Sequence, residues 1–117
     1  MKLAGILVGK YGIISRASIE DEWQKHAEAI GCQYVEYPRR HLGDLVVVPI
    51  CDEEFHLRQK YYTGAPVVNF DDGDIFGSML IVKPGRRGKL AGLTIDEQDT
   101  VVAELRKRMR KIGEGMA

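Results

Sequence analysis

The chain has 117 residues, of which 44% are hydrophobic and 29% charged. This length predicts one domain over residues 1–117, and this balance is typical of a globular protein rather than a disordered one. Lysine plus arginine and aspartate plus glutamate both number 17, so no overall basic excess indicates a nucleic-acid partner. The charge is nevertheless uneven: residues 1–82 carry 8 basic and 12 acidic side chains, and residues 83–117 carry 9 and 5.

The first residues of the chain and its two cysteines indicate in which cellular compartment we expect the protein. The apolar run from Leu3 to Val8 is too short for a signal sequence or a membrane span. Cys32 and Cys51 form no C-x-x-C pair, which excludes a zinc ribbon and a thioredoxin-type motif. We therefore expect reduced thiols, no membrane association and a cytoplasmic protein.

The first third of the chain predicts a hairpin followed by a helix. Residues 2–8 and 11–15 are β-type runs on either side of a Gly-Lys turn at 9–10. Ser18 and Asp21 have the spacing of a capping arrangement, which predicts a helix over 19–30 that ends at Gly31. The helical spacing of Ile19, Trp23, Ala27 and Ile30 places Trp23 in the core.

The middle of the chain is dominated by β-type segments. Residues 33–38 and the β-branched run 44–51 are predicted strands, and Pro49 indicates a bulge or a sheet edge inside the second. Residues 55–62 are expected to form another strand or an extended arm. A loop with an apolar patch is predicted at 63–74, followed by a strand over 75–82 with Gly77 as a bulge position.

The second helix has the clearest signature in the chain. Thr94 and Glu97 form a predicted capping box. One apolar face is expected to follow, and glycines 113 and 115 are expected to end the helix; the face comprises Ile95, Gln98, Val102, Leu105, Met109 and Ile112. The order of elements predicts an α+β fold: a mostly antiparallel sheet with an opening hairpin, one helix after it and a C-terminal helix packed on the sheet.

Several strings of the sequence resemble a family of small domains of unknown function from bacteriophages and mobile elements. They are SIEDEWQKHAEAIGC running into QYVEYP, then DLVVVPICDEE, and GDIFGSMLIVK before LTIDEQ. The chain has Cys-Asp-Glu-Glu at 51–54 where that family has Asn-Glu-Glu-Gly, and it lacks the proline-rich string of the family at 61–73. The resemblance implies the same fold, a phage origin and the host-cell cytoplasm, and it carries over no catalytic residue.

Two acidic turns, at 52–54 and 71–74, raise the question of a metal site. With His41 and His56 close by in sequence, they could supply the oxygen and nitrogen ligands of a metal-dependent phosphate enzyme. Asp and Gly are equally typical of turns in which they satisfy local backbone groups, and the spacing is not that of a calcium loop. We predict no metal, no cofactor and no catalytic residue, with a nucleotide-binding or metal-dependent enzyme as an alternative.

The candidate binding residues are aromatic and basic, the residue types that carry protein interfaces and single-strand stacking surfaces. Strand alternation predicts Val35 and Tyr37 inward and Tyr34 and Glu36 outward. The segment KPGRRGKLAG at 83–92 contains a literal G-x-x-G but follows a strand, unlike the nucleic-acid-binding loop of that pattern, which joins two helices. The predicted contact residues are Tyr34, Arg39, Arg40, Tyr61, Tyr62, Arg86, Arg87 and Lys89.

Two functions remain open at this stage besides the nucleotide-binding or metal-dependent enzyme. The leading hypothesis is a non-enzymatic phage accessory protein that binds a host protein, such as a defence or replication component. The alternative is a regulator that binds nucleic acid through its basic C-terminal third, where Arg86, Arg87 and Lys89 could join the basic residues at 106–110 in one patch. The sequence does not predict an oligomeric state.

Overall fold

A computed structural model describes residues 1–54 and 63–113. Helices and a mostly antiparallel sheet confirm the predicted α+β class. The elements, in chain order, are β1 (Lys2–Val8), β2 (Ile14–Glu20), α1 (Trp23–Ile30), β3 (Val35–Glu36), β4 (Arg40–Leu42), β5 (Leu45–Asp52), β6 (Pro66–Phe70), β7 (Gly73–Phe76), β8 (Met79–Pro84), a 3-10 turn (Arg86–Gly88), β9 (Leu90–Ala91), α2 (Ile95–Arg108) and β10 (Met109–Lys111).

The strands form a main sheet and a small second sheet. The order in the main sheet is β2-β1-β8-β5-β3, with β4 also paired to β5 and β9 to β8. The second sheet has the order β10-β6-β7. Among the described residues, every strand pair is antiparallel.

The main sheet is covered on both faces. On one face, called the α1 side, Ile30 of α1 packs on Leu3, Leu80 and Val82. The opposite face of the main sheet is called the α2 side. There, Leu105 of α2 packs in one cluster with residues of the second sheet and with main-sheet side chains that point to this face. The members of that cluster include Ile6, Val8, Val47, Val68, Phe70, Ile75, Met79, Ile81, Leu93 and Val101. Burying each such side chain stabilises the fold by about 1.5–3 kcal/mol.

The opening hairpin is longer than predicted, and α1 is shorter. β1 and β2 pair over seven residues, from Lys2 with Glu20 to Val8 with Ile14. Ser18 therefore lies in a strand rather than at a helix start, because a full antiparallel ladder satisfies more backbone groups than one local cap. The helix begins at Trp23, after an extended Glu22, and ends as predicted at left-handed Gly31.

The predicted place of Trp23 in the core is wrong. The helix begins four residues later than predicted, and its buried face consists of His26, Ala27 and Ile30. Trp23 is 51% exposed. His26, rather than Trp23, is therefore the ring side chain that α1 buries.

The segment from 63 to 82 is also arranged differently from the prediction. Instead of a loop, residues 66–76 form the β6–β7 hairpin, and Val67, Val68 and Phe70 are buried there. The predicted strand over 75–82 is split at Gly77, which adopts a positive φ of 86° and donates its N–H to the carbonyl of Pro66. Gly77 thus lets the chain pass from the second sheet into the main sheet.

The predicted strands 33–38 and 44–51 lie next to each other in the structure. Of residues 33–38, only Val35–Glu36 pair with β5. β5 pairs with β4 through residues 45–47 and with β3 through 51–52, and Pro49 lies in the gap between them. This gap is a local sheet edge of the kind where proline is tolerated. The predicted strand or arm at 55–62 lies outside the described residues.

The capping box of α2 is confirmed. The Thr94 hydroxyl accepts from the Glu97 N–H at 3.1 Å, and the Glu97 carboxylate accepts from the Thr94 N–H at 2.8 Å. The predicted end at Gly113 is wrong, because residues 109–111 leave the helix to pair with β6. The predicted apolar face is rotated: Val101 is fully buried, whereas Ile95 is exposed. In the described part of the chain, no helix is long and apolar enough to cross a membrane.

The capping box gives the first testable prediction. Thr94→Ala removes one side-chain acceptor at the helix start and is expected to lower the free energy of unfolding by about 1 kcal/mol. Thr100→Ala is the matched control, because its hydroxyl only bonds back to the Asp96 carbonyl one turn earlier. Urea denaturation of both variants measures the difference, and equal losses would contradict the capping role.

Candidate functional site

Two aromatic side chains lie exposed beside β3, at one edge of the main sheet. Strand alternation places Val35 and Tyr37 on the α1 side and Tyr34 and Glu36 on the α2 side. Val35 packs against the cluster around Ile30, and Glu36 lies opposite Cys51. Tyr34 is 49% exposed and Tyr37 41%. Together with exposed Arg39, these two residues are called the tyrosine edge.

Tyr37 is anchored by a buried histidine. Its hydroxyl lies 2.8 Å from Nδ1 of His26, and the two rings meet edge to face at 5.7 Å. His26 is only 2% exposed. Burial, followed by the nearby Asp21 carboxylate, raises the pKa of Tyr37. The phenol is therefore neutral, and its hydrogen bond to the imidazole holds the ring in one orientation at the surface.

The same burial acts on the histidine. Desolvation lowers the pKa of His26, and the carboxylate of Asp21 opposes this effect only in part. Nε2 lies 3.4 Å from the Asp21 carboxylate and makes no hydrogen bond to any described residue. His26 therefore connects α1 to the tyrosine edge as a neutral imidazole.

The two arginines of this edge have different surroundings. Arg39 is exposed, whereas Arg40 is half-buried, packs over Gly73 and donates to the Arg39 carbonyl at 2.9 Å. Nε of Arg40 is buried and has no hydrogen-bond partner among the described residues. Arg39 is thus the more accessible cation. Tyr61 and Tyr62 lie outside the described residues.

The basic turn, defined as Arg86, Arg87 and Lys89, projects between β8 and β9. Gly85 donates to the Lys89 carbonyl at 2.7 Å and Lys89 donates to that of Arg86 at 3.0 Å. Arg87 adopts φ 55°, the one left-handed non-glycine residue in the described part of the chain. All three side chains are exposed, and no described carboxylate forms an ion pair with them.

The structure separates the predicted contact residues. β3 lies beside the start of β8, because Cys51 pairs with both Glu36 and Met79, and the basic turn follows the end of β8. The six residues of β8 span about 20 Å. The basic residues at 106–108 lie in the last turn of α2, whereas Lys83, just before the basic turn, binds Glu97 in the first turn. The basic turn and the residues at 106–110 therefore lie toward opposite ends of α2, which is about 21 Å long.

The carboxylates of the acidic turn at 71–74 have protein partners. Asp71 accepts from Arg108 at 2.6 Å and from the Gly43 N–H at 3.0 Å. Asp72 accepts from the backbone and side chain of His41 at 2.9 and 2.8 Å. These contacts lower the pKa of both carboxyls. Over residues 1–54 and 63–113, no three His, Cys, Asp or Glu side chains are grouped to hold a metal ion. His56 lies outside those ranges.

Cys51 is not an activated nucleophile. Burial and the adjacent carboxylate of Glu36, whose Oε1 lies 3.7 Å from Sγ, raise the pKa of the thiol to about 12. A thiol with this pKa is protonated at neutral pH and is a poor nucleophile.

Sequence reasoning missed two parts of this site. One is His26, because the sequence around it contains no pattern that distinguishes a buried histidine from an exposed one. The other is Arg108, which joins α2 to the β6–β7 turn through Asp71 and the Asn69 carbonyl. Its i,i+4 pair with Glu104 was predictable and is present at 3.1 Å. The contact with Asp71, 37 positions away, depends on the tertiary fold.

Comparison with known proteins found no matching family model, no similar curated protein and no similar solved structure. What the chain does must therefore be inferred from its own residues.

The buried histidine predicts a pH dependence of stability. Because the folded-state pKa of His26 is below 6.5, the unfolded chain binds the proton first as the pH falls. The contribution of His26 is fully present above about pH 7 and is lost as the pH falls below 6.5, with a slope of at most about 1.4 kcal/mol per pH unit.

Urea denaturation between pH 7.5 and 5.5 measures this slope. His26→Asn keeps an acceptor for the Tyr37 hydroxyl but does not titrate, so its slope is expected to be smaller. Tyr37→Phe is the matched control, since it removes the hydrogen bond and leaves the imidazole buried. An unchanged slope in His26→Asn would contradict the assignment.

Proposed function

We propose that the chain is a non-enzymatic accessory protein that acts by binding another protein through the tyrosine edge. The observation that carries this proposal is the anchored exposure of Tyr37, whose ring is held at the surface by a buried imidazole. A fixed aromatic side chain loses little conformational entropy when a partner covers it. Tyr34 and Arg39 add two residue types that are enriched among interface hot spots.

The anchoring of the edge favours specific recognition over non-specific adhesion. A backbone hydrogen bond fixes the chain at Tyr34, because its carbonyl accepts from the Glu53 N–H at 3.1 Å. A preorganised surface needs less reordering on association, so more of the contact energy is available for affinity. The resemblance to phage domains makes a host protein, such as a defence or replication component, the expected class of partner.

A pull-down with matched variants tests the proposal. The tagged wild-type chain is expected to recover a host protein, and Tyr34→Ala with Arg39→Ala is expected to weaken that recovery by tenfold or more, since hot-spot residues contribute about 1–2 kcal/mol each. Tyr11→Ala is the control, because Tyr11 is an exposed tyrosine in the β1–β2 loop, outside the tyrosine edge. Recovery of nucleic acid without any protein, or equal recovery by all variants, would contradict the proposal.

A second candidate function is the binding of nucleic acid through the basic turn. It is favoured by the left-handed Arg87, because a non-glycine residue in this region costs about 1–3 kcal/mol and such strain is often found at functional sites. The turn presents three cations without an ion-pair partner among the described residues. Phosphate contacts of this kind need no base-specific geometry.

The nucleic-acid candidate predicts affinity that falls steeply with salt. Replacing both Arg86 and Arg87 by Glu is expected to abolish binding to a labelled single-stranded oligonucleotide, and each lost phosphate contact reduces the salt slope by about 0.7. Fluorescence anisotropy from 50 to 300 mM salt measures this slope, and Arg110→Glu is the control outside the turn. Salt-independent or unchanged binding would exclude the turn as the contact.

A further inference from the structure

The two edges of the main sheet are protected very differently. At the β5 edge, the partner strands are short, with two residues in β3 and three in β4, and Pro38 and Pro49 interrupt regular pairing. Short strands, prolines and charges are the means by which proteins prevent unwanted edge-to-edge pairing. β2 lies at the opposite edge and has seven regular residues without proline.

The outer side of β2 is open among the residues that the structure describes. No described strand pairs with it there. Three of its seven side chains are small: Ser15, Ala17 and Ser18, in the middle of the strand. Arg16 is folded over the sheet onto α2, where it donates to Gln98 at 2.8 Å and to Asp99 at 2.5 Å. Within residues 1–54 and 63–113, this side of the β2 backbone therefore has no strand partner and could pair with another extended strand.

We propose that a second copy of this chain pairs with β2 in an antiparallel, two-fold symmetric arrangement centred on Ser18. In such an isologous contact, each pair of opposing residues occurs twice. With Ser18 at the centre, Arg16 lies opposite Glu20 of the other copy, and Ala17 lies opposite Ile19. The first pair is complementary in charge and the second is apolar, so the strand is complementary to itself in this register.

The ends of the strand fit the same register. Ile13 is 74% exposed just before β2, and Trp23 is half-exposed just after it at the start of α1. Both residues lie outside the strand, Ile13 before its start and Trp23 in α1 after its end. In an antiparallel contact centred on Ser18, the start of β2 in one copy lies beside the end of β2 in the other. Each end of the contact would therefore bring Ile13 of one copy toward the start of α1 in the other.

The dimer is independent of the proposed partner surface and extends its use. β2 and β3 are the two ends of the main sheet, so pairing through β2 leaves both tyrosine edges uncovered. A dimer would present two such edges, and bivalent contact can strengthen binding to a multimeric partner without any new contact.

Sedimentation velocity of the full chain tests the proposal. The wild type is expected to show a concentration-dependent dimer, and Ser18→Lys is expected to be monomeric because it places two like charges opposite each other at the symmetry axis. Ser15→Lys is the matched control: it adds the same charge to an exposed position of the same strand, opposite Asp21 of the other copy, and is expected to remain dimeric. Trp23 is the only tryptophan, so its emission should shift to the blue as the dimer forms.

A charge exchange provides a second test that does not depend on lysine insertion. Glu20→Arg is expected to weaken the dimer at least tenfold by opposing Arg16. The double exchange Arg16→Glu with Glu20→Arg is expected to restore it when made in an Asp99→Asn background, because Asp99 binds Arg16 in the wild type and would repel the new carboxylate. Thermal melting monitored by circular dichroism shows that each variant is folded. A wild type that stays monomeric up to about 1 mM, a Ser18→Lys variant that remains dimeric, or a failure of the double exchange to restore the dimer would overturn the proposal.

Discussion

The fold depends on one constraint: both faces of the main sheet must be buried by a chain with little helix. Residues 79–82 of β8 are four consecutive side chains with no exposure, and they point alternately to the α1 side and the α2 side. Such a strand is stable only when layers pack on both faces. α1 supplies one layer, whereas α2 and the β6–β7–β10 sheet together supply the other.

This constraint also determines how closely the central strands approach. Gly5 in β1 leaves no room for a side chain, because a Cβ there would lie 2.6 Å from the carbonyl oxygen of Ile81 in β8. Gly92 has the same role next to Ala4. With both faces covered and the central strands closely packed, the described part of the main sheet is open to a partner at its edges and connecting turns. The candidate contacts of this chain lie there for that reason.

The sequence predicted the parts that depend on local chemistry and missed those that depend on distant partners. The capping box of α2, the stop at Gly31 and the run 44–51 follow from spacing and β-branched composition. The true start of α1 does not follow from local spacing, because Ser18 belongs to a strand that forms seven cross-strand pairs with β1 instead of capping a helix. The sequence predicted a loop in place of the β6–β7 hairpin, because the residues that bury Val67 and Val68 are distant in sequence and no local pattern indicates them.

The site was predictable to a similar degree. Alternation in 34–37 placed Val35 inward and Tyr34 and Glu36 outward as observed, but the inward prediction for Tyr37 is wrong, because its ring is 41% exposed beside His26. The exposure of Arg86, Arg87 and Lys89 follows from their glycine-rich turn. The anchoring of Tyr37 was out of reach, because His26 is eleven residues away and on a different element. The separation of the tyrosine edge from the basic turn likewise depends on the direction of β8.

α1 connects the two edges of the main sheet physically. Its first residue, Trp23, follows β2 by three positions, and His26, one turn later, binds Tyr37 beside β3. Because the helix has only eight residues, most of its stability comes from such tertiary contacts rather than from its own hydrogen bonds. The short helix therefore covers one face of the sheet through Ile30 and also fixes the tyrosine edge through His26.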